Sequence, residues 1–598
     1  MSPTPSRCSH RILIVAGVLL LIVASRFTRL GDIEMELDEV WSIWQTFGTP
    51  QQILQWTPYD WTPTYYLILG AWKELAGIHP IALRVLSALV FLPGCAFMYQ
   101  FVRRRRGEGA GLSAMLAYAA FGYGIFLSLQ VRAYTFVYML MPLALWLTHR
   151  YFDRPGFRRA VPLALVLLAM FYLYLPSAVG IVVLGIYTLV IYGIEVWRWW
   201  LPGVLALIPA LPEIIAKIGL AISRTQATSQ IETTPFLEKV GGLYESYAGT
   251  TFPLWIALFA VATALIAYRP MKRQTLALLV WVLLGPVIVY YLNPMLGLAQ
   301  QPRYSFWVLP GIALWLAWGI TYLPRAGVAV ASALLLIPLF APLPVDDYQY
   351  ISWPVAQRFE WLKDNLRWGD VIVVDPNCDC PSPETWDYFL QVYFPDGGLE
   401  FVNDPADHRR IVYVVFEGRE DAGLARAVQA NRVFHSFSGP PWFMFKLYEA
   451  PPDIEGIPFE NGLRFHGFDI LEDSVPLAGR LVRREGEPVR LRLWWSADRP
   501  IELDYSIGLY LVRESDGWMA HQVDGPPQVA DGPQATSQWT TRRYYVEERE
   551  LMLPYPAANW TFNIYLAVYQ WWDSARIAAP GVDDEGRLYL TSVPITAW

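Results

Sequence analysis

Long apolar runs, separated by short polar turns, fill the chain from near its start to about residue 343 and then stop. A helix crosses a hydrocarbon core with roughly 17–25 mostly apolar residues. That criterion predicts about eleven spans, near 11–27, 82–102, 109–128, 133–150, 159–175, 177–195, 200–219, 251–268, 274–292, 304–322 and 326–343. The stretch Pro63 to Gly77 is apolar but short, with Lys73 and Glu74 near its end. It predicts an amphipathic helix lying in the outer interface, with Tyr65, Tyr66 and Trp72 at headgroup depth.

Past residue 345 the pattern becomes that of a water-soluble protein. Over 346–452 helical and strand patterns alternate: Trp353 to Leu366, a strand at 371–375, Thr385 to Phe394, and a strand at 411–416. This predicts a small α/β module, and with no glycine-rich phosphate loop a nucleotide site has no support. Over 453–598 short runs rich in Val, Leu, Tyr and Trp, such as 489–495, 505–512 and 560–569, alternate with turn residues and predict a β-sandwich. Trp495, Trp518 and Trp539 are candidates to stack on sugar rings, or else core aromatics. The sequon at Asn559 falls inside a strand pattern and carries no weight.

Charge then orients the spans. With the N-terminus in the cytoplasm, the alternate loops expected inside hold Arg103 to Arg106; Arg150, Arg154, Arg158 and Arg159; Arg198; Arg269, Lys272 and Arg273; and Arg325. The loops expected outside, at 28–81, 223–250 and 293–303, are poorer in Lys and Arg. The pattern obeys the positive-inside rule and puts the C-terminal modules outside the cytoplasm. Arg7, His10 and Arg11 precede an apolar run from Ile12 to Ala24, and Ser25-Arg26-Phe27 offers no small-residue cleavage site, so this is expected to be an uncleaved first span. The net charge of −7 comes with no large basic patch, which argues against a nucleic-acid partner. Four cysteines, with Cys378 and Cys380 in C-D-C, are too few for a zinc site of conventional spacing and leave spare thiols or one disulfide.

Polar residues gather on the predicted outer side. Asp38 and Glu39 follow the first span, Asp60 precedes the interfacial helix with its Tyr65, and Arg84 opens the second span. Gln130, Arg132 and Tyr134 lie between the third and fourth spans, and Arg303 and Tyr304 open the tenth. Carboxylates near lipid are costly and usually functional. Arginines at headgroup level can hold a phosphate bidentately, and a carboxylate can take the proton of an attacking hydroxyl. Such a set suits sugar transfer from a lipid phosphate. A divalent cation, magnesium or manganese, bridging phosphate to Asp38 or Glu39 is a further use of the acids. Asp32, Glu34 and Glu36 are expected to be solvated loop charges. Glu213 and Lys217 are the exceptional charges within a span, expected toward the outer end of the seventh and as neighbours on one helix face.

Five motifs, taken in order, give a resemblance: L-D-E-V-W-S (37–42), T-P-T-Y-Y-L-I-L (62–69), A-L-R-V-L-S-A-L (82–89), S-L-Q-V-R-A-Y (128–134) and P-R-Y-S-F-W-V-L-P (302–310). Over roughly residues 10–345 the chain resembles the GT-C glycosyltransferases of the family 39 and RgtA/B/C/D-like group, relatives of protein O-mannosyltransferases and aminoarabinose transferases. The resemblance implies a polytopic GT-C membrane domain followed by the two soluble modules. It implies a hexosyl- or pentosyltransferase using a dolichyl- or undecaprenyl-phosphate sugar at the outer membrane face, with inversion at the anomeric carbon. Asp38 becomes the leading catalytic candidate, with Glu39 beside it. Asp60, Tyr65, Arg84, Gln130, Arg132, Tyr134, Arg303 and Tyr304 become candidates for donor or phosphate binding. The acceptor would be a glycan, lipid or protein. Two departures stand out. The family often has S-Q-E-A-R-x-Y, so Gln130 stands where a second carboxylate is expected, and Trp61-Thr62-Pro63 replaces a common His-containing segment. A flippase for lipid-linked sugars, and an inactive sugar-binding protein on the same scaffold, are the alternatives.

Overall fold

In a computed structural model, residues 5–56, 62–228, 235–296, 302–348, 355–471 and 483–596 are described, less single positions at 368, 379, 382, 396, 398, 531 and 542. They form two compact units, Met1–Ala356 with Pro381–Val392, and Gln357–Cys380 with Tyr393–Trp598.

The first unit is helical. Its chain runs through α1 (Pro5–Phe27), α2 (Leu37–Trp44), α3 (Pro50–Trp56), α4 (Thr64–Ala76), α5 (Pro80–Arg106), α6 (Glu108–Ala120), α7 (Gly122–Leu127) and α8 (Tyr134–Asp153). It continues as α9 (Phe157–Leu173), α10 (Ser177–Tyr192), α11 (Trp200–Thr228), α12 (Phe236–Ala248), α13 (Phe252–Ala267), α14 (Arg273–Leu296), α15 (Leu309–Ile320), α16 (Arg325–Leu334) and α17 (Leu336–Phe340). Among the described residues three stretches are long and apolar enough to cross a membrane: Pro80–Arg106, Ser177–Lys217 and Phe236–Ala267. Shorter apolar helices cover Arg273–Leu284, Phe306–Ile320 and Arg325–Phe340. In two places helix continuity departs from the hydropathy pattern. The stretch 109–128 is divided at Phe121, whose backbone is extended (ψ 124°), and α15 has only 12 residues after a short 3-10 turn.

Packing in this unit uses small residues and aromatic stacks. Gly94 lets α5 approach α8 so closely that a Cβ there would lie 2.9 Å from the Met139 Cα. Tyr118 and Tyr138 stack at 4.3 Å, and each hydroxyl donates to the other's backbone carbonyl. The buried Arg26 guanidinium lies 4.4 Å from the Phe91 ring centre and donates to Ser25 Oγ at 2.7 Å, so α1 carries its charge into the bundle with partners. Glu213 and Lys217 pair at 3.2 Å along one face of α11, as i,i+4 spacing allows.

The stretch expected at the interface forms a helix, α4, and its tyrosines turn inward. Tyr65 and Tyr66 are both buried, and Tyr65 meets Phe136 of α8 edge to face at 5.9 Å. Trp72 is half-buried, and its indole donates to the Ala82 carbonyl at 2.9 Å. The neighbours of this helix are α5, α2, α3 and α9, and the Tyr65–Phe136 contact adds α8 on its buried side.

The second unit begins with a five-stranded sheet. Its strands are β1 (Val371–Val374), β2 (Glu400–Phe401), β3 (Arg410–Val415), β4 (Val433–Ser438) and β5 (Met444–Glu449), in the order β2-β1-β3-β5-β4. β1 pairs in parallel with β2 and β3, and β5 runs antiparallel to β3 and β4. Helical and strand patterns alternating in sequence lead to this mixed sheet. Cys378 and Cys380 are joined by a disulfide.

Nine further strands follow: β6 (Ile457–Pro458), β7 (Leu463–Leu471), β8 (Arg483–Arg484), β9 (Pro488–Ala497), β10 (Tyr505–Arg513), β11 (Met519–Gly525), β12 (Tyr545–Met552), β13 (Thr561–Gln570) and β14 (Leu588–Thr596). They make a sheet β11-β10-β13-β14-β8 and a sheet β12-β9-β7-β6. Residues of both sheets share one apolar core, among them Leu491, Leu493, Leu509, Leu511, Ile564 and Leu566. Trp495 and Trp539 belong to that core and cannot stack on a sugar; Trp518 is exposed and meets Trp560 edge to face. The alternation that marks each strand puts Trp495 on the inward side. Asn559 has a φ of 64°, in the turn before the strand Thr561–Gln570. Buried charge joins the two parts of this unit across position 452: Glu449 pairs with Arg410 at 2.6 Å and with Arg492 at 3.1 Å, and Arg409 holds Asp469 at 2.6 Å.

Candidate active site

The acidic pair Asp38-Glu39 is divided by helix geometry. Glu36 is the N-cap of α2, so Asp38 and Glu39 fall in its first turn, where the helix dipole favours negative charge. Neighbours on a helix point about 100° apart, and the two carboxylates go to different surroundings. Glu39 is wholly buried. It receives Arg84 Nη2 at 3.0 Å and Arg84 Nε at 3.3 Å, the Glu36 amide at 3.1 Å and the Val131 amide at 2.8 Å. Arg84 also donates to the carbonyls of Leu30 at 3.0 Å, Ile33 at 2.6 Å and Glu34 at 3.1 Å. A buried ion pair persists only when its remaining hydrogen-bonding positions are filled. Here they are, and the pair ties the turn after α1, the start of α2, helix α5 and the loop before α8 into one frame.

Asp38 faces the other way, with its side chain 41% exposed. Arg303 Nη1 lies 2.7 Å from its Oδ2, and Arg132 Nη2 lies 3.6 Å from the same atom. Arg132 also donates to the Asp38 carbonyl and to Ser42 Oγ, both at 2.9 Å. Against the opposing effect of burial, Arg132 first and then Arg303 hold the Asp38 carboxyl below the usual carboxylate range.

Glu36 is the correction. Expected as a solvated loop charge, it is buried, with 5% of its surface exposed. Its Oε2 accepts from the Gln130 side-chain amide at 2.8 Å. Burial pushes its carboxyl up to about 7, helped by Glu39 and Asp38 and opposed by Arg303 and Arg132. The turn between α1 and α2 folds back onto the loop 128–133, which is itself buried, and so encloses Glu36; Asp32 stays exposed and Glu34 is half-buried. The glutamates of E-M-E look alike in sequence, and only this turn separates them.

Beside Arg132 lies a cleft lined by Thr62, Tyr65, Tyr66, Ala133, Tyr134, Leu173 and Tyr174. The Arg132 guanidinium is 5.5 Å from the Tyr134 ring centre, and Tyr134 meets Tyr174 edge to face at 5.2 Å. The Tyr65 hydroxyl is buried and, among the described residues, has no hydrogen-bond partner. Thr62, Ser42 and Tyr174 were not singled out from sequence, and Tyr66 was named only for headgroup depth. Thr62 and Tyr66 are the ends of T-P-T-Y-Y, which was a signal for both, whereas nothing local marks Tyr174.

The predicted residues therefore separate. Asp38, Arg132 and Arg303 meet directly, and Tyr65 and Tyr134 share a cleft with Arg132. Gln130 reaches Glu36, while Arg84 and Glu39 belong to the frame beneath. Tyr304 falls in a 3-10 turn, Pro302–Tyr304, and its side chain lies outside the described residues, as does Asp60. Among the described residues no group of three or more His, Cys, Asp or Glu side chains could hold a metal ion. The donor set fits a divalent cation poorly: Glu39 is filled, and a dication on Asp38 would face two guanidiniums.

Comparison by sequence finds no matching family model and no matching curated protein. Comparison by structure finds similar chains. ArnT from Cupriavidus metallidurans bound to undecaprenyl phosphate matches with a TM-score of 0.50 and 12% identity, over 73% of this chain and 97% of that one. The apo state of the same protein matches with a TM-score of 0.50 and 12% identity, over 74% and 98%. The Archaeoglobus fulgidus oligosaccharyltransferase, in complex with zinc and sulfate, matches over 96% and 99% at 9% identity, but its TM-score of 0.38 carries no argument. The likeness to ArnT shows a GT-C fold; at this identity it shows the fold alone, and activity must be argued from the site.

Proposed function

We propose that this chain is a membrane glycosyltransferase that moves a sugar from a polyprenyl phosphate to an acceptor hydroxyl at the extracytoplasmic face. The observation that carries this is the placement of one half-exposed carboxylate, Asp38, between two arginines that come from distant parts of the chain. A carboxylate held by two guanidiniums occupies the kind of place a phosphate takes, because both present anionic oxygens that arginine N–H groups can hold. Undecaprenyl phosphate bound to the structurally similar ArnT supports a lipid phosphate as the ligand.

In this mechanism the donor phosphate competes with Asp38 for Arg132 and Arg303. Once the arginines turn to the phosphate, Asp38 is released to take the proton of the acceptor hydroxyl. The hydroxyl oxygen bonds to the anomeric carbon as the bond from that carbon to the phosphate oxygen breaks, and the electron pair leaves on the polyprenyl phosphate. Attack opposite the leaving group inverts the anomeric centre. The arginines stabilise the charge that grows on the phosphate. The cleft beside Arg132 is narrow here, and if it widens as the donor binds, Thr62, Tyr65 and Tyr134 would present rings and hydroxyls to a sugar. No step uses a metal.

The proposal extends to topology and domains: about eleven spans, the N-terminus in the cytoplasm, and the modules 346–452 and 453–598 outside, the latter as a β-sandwich. The test is transfer of radiolabelled sugar from polyprenyl-phosphate donors in membranes holding the full chain. Transfer by the wild type and its loss in Asp38→Asn is the expected result. Equal transfer by both removes Asp38 from the chemistry, and none by either rejects the function.

A further inference from the structure

Gln130 stands where the resemblance leads one to expect an acid, yet a carboxylate is present a few atoms away. It comes from another element: Glu36 precedes α2 and is 94 residues distant in sequence. Its Oε2 accepts from the Gln130 amide at 2.8 Å. The amide is fixed in turn, because Ser87 Oγ donates to the Gln130 carbonyl at 2.6 Å and the next residue's amide donates to Glu39.

Two features separate Glu36 from an ordinary structural acid. Burying a carboxylate costs several kcal/mol unless it is paired, and the hydrogen bonds that Glu36 accepts, from the Gln130 side chain and, in a capping box, from the Glu39 backbone amide, come from neutral groups. A glutamine at position 36 would form an amide–amide hydrogen bond with Gln130 and avoid that cost. Among the described residues, the groups whose charge acts on Glu36 are Glu39 and Asp38 on α2, Arg303 in the turn at 302–304 and Arg132 in the loop before α8, and Glu36 acts in turn on Tyr123 of α7. Two are like charges and two are the guanidiniums that hold Asp38.

We propose that Glu36 supplies the second carboxylate of this site, held by Gln130, and acts through Asp38 as a positioning residue in the transfer step. This rests on the glycosyltransferase function proposed above. Two carboxylates near one pair of arginines titrate together, and each makes the other harder to ionise. With Glu36 ionised, its negative charge two residues before Asp38 makes Asp38 a better acceptor for the hydroxyl proton. As pH falls through about 7, Glu36 takes a proton and this support is lost.

The test needs no donor in its first arm. Infrared difference spectra of the full chain in nanodiscs, recorded against pH, report carboxyl protonation, and the Asp38 band is identified by its loss in Asp38→Asn. The expected result is a carboxyl titrating near pH 7 that disappears in Glu36→Gln, and an Asp38 midpoint that falls by roughly one pH unit in that variant. If Glu36→Gln fails to fold, Gln130→Leu decides: the Glu36 midpoint should rise when its donor is removed. An Asp38 midpoint unmoved by Glu36→Gln, or a Glu36 midpoint unmoved by Gln130→Leu, overturns the proposal.

The second arm measures transfer. Glu36→Gln should lower kcat about tenfold or more and flatten the acid side of its pH profile, with the donor KM nearly unchanged. Glu36→Asp should restore the acid side. An unchanged kcat and profile overturns the catalytic part. Absence of transfer in the wild type rejects the proposed function, while the infrared arm still judges the coupling of the two carboxylates.

Discussion

Glu39 and Arg84, 45 residues apart in sequence, meet at 3.0 Å with no more than 2% of either side chain exposed. Their hydrogen bonds reach three separate backbone segments, so this pair holds the site from below while Asp38 faces out. Removing one partner leaves a buried charge alone, at a cost of roughly 3–5 kcal/mol. Glu39→Gln is therefore expected to lower the Tm of the detergent-solubilised protein sharply. The double variant Glu39→Leu/Arg84→Met should lose less than the sum of the single changes, and additivity would deny the coupling.

Asp38→Asn should abolish transfer and leave Tm nearly unchanged, because the side chain is 41% exposed. Arg132→Ala and Arg303→Ala should raise the donor KM by tenfold or more, on the order of 1.4 kcal/mol or greater. Steady-state transfer assays with a varied lipid donor decide this, and an unchanged KM in either variant takes that arginine out of the phosphate site.

Glu36 gives a stability signature with a definite sign. Its folded carboxyl titrates near 7, above the ordinary carboxylate value. The folded state therefore binds more protons than the unfolded state between those values, and stability falls as pH rises through that window. It is fully present below the unfolded value and lost above the folded one. Glu36→Gln should melt higher than wild type at pH 8 and match it at pH 4. The same difference at both values would assign the effect to something other than ionisation.

Tyr65→Phe removes a buried hydroxyl that has no described hydrogen-bond partner. Such a change costs little stability and can even stabilise. Tm should hold or rise while the KM for donor or acceptor rises several-fold. A lower Tm with normal kinetics would make the hydroxyl structural.

The tryptophans of the second unit divide by burial. Trp495→Ala should cost about 3–5 kcal/mol as a large core truncation, whereas Trp518→Ala, on the surface, should change Tm little. Thermal melts of the two variants side by side test the placement.

Much of the element pattern was legible along the chain. The α/β stretch was expected with strands at 371–375 and 411–416, and they are observed at Val371–Val374 and Arg410–Val415. These signals are local, set by alternation and turn residues. The apolar helices were equally visible, but where a helix breaks, as at Phe121, was not, because hydropathy averages over the break. In the site, Asp38, Arg132 and Arg303 could be grouped only by the side of the membrane on which their loops were expected to lie. Tyr65 was recognised as a residue but given the wrong surroundings, since a helix pattern says which face is apolar and not what covers it.

By itself the sequence determined the order of elements, the change of character near residue 345 and the inventory of candidate acids and arginines, because these follow from periodicity and charge within short windows. Only the tertiary structure decided the roles within E-M-E-L-D-E. Glu36 is enclosed by a turn and met by Gln130, Asp38 is left between Arg132 and Arg303, and Glu39 is sealed against Arg84. The physical reason is that a carboxylate's chemistry is set by its partners and its water, and here those partners come from 45 to 265 residues away.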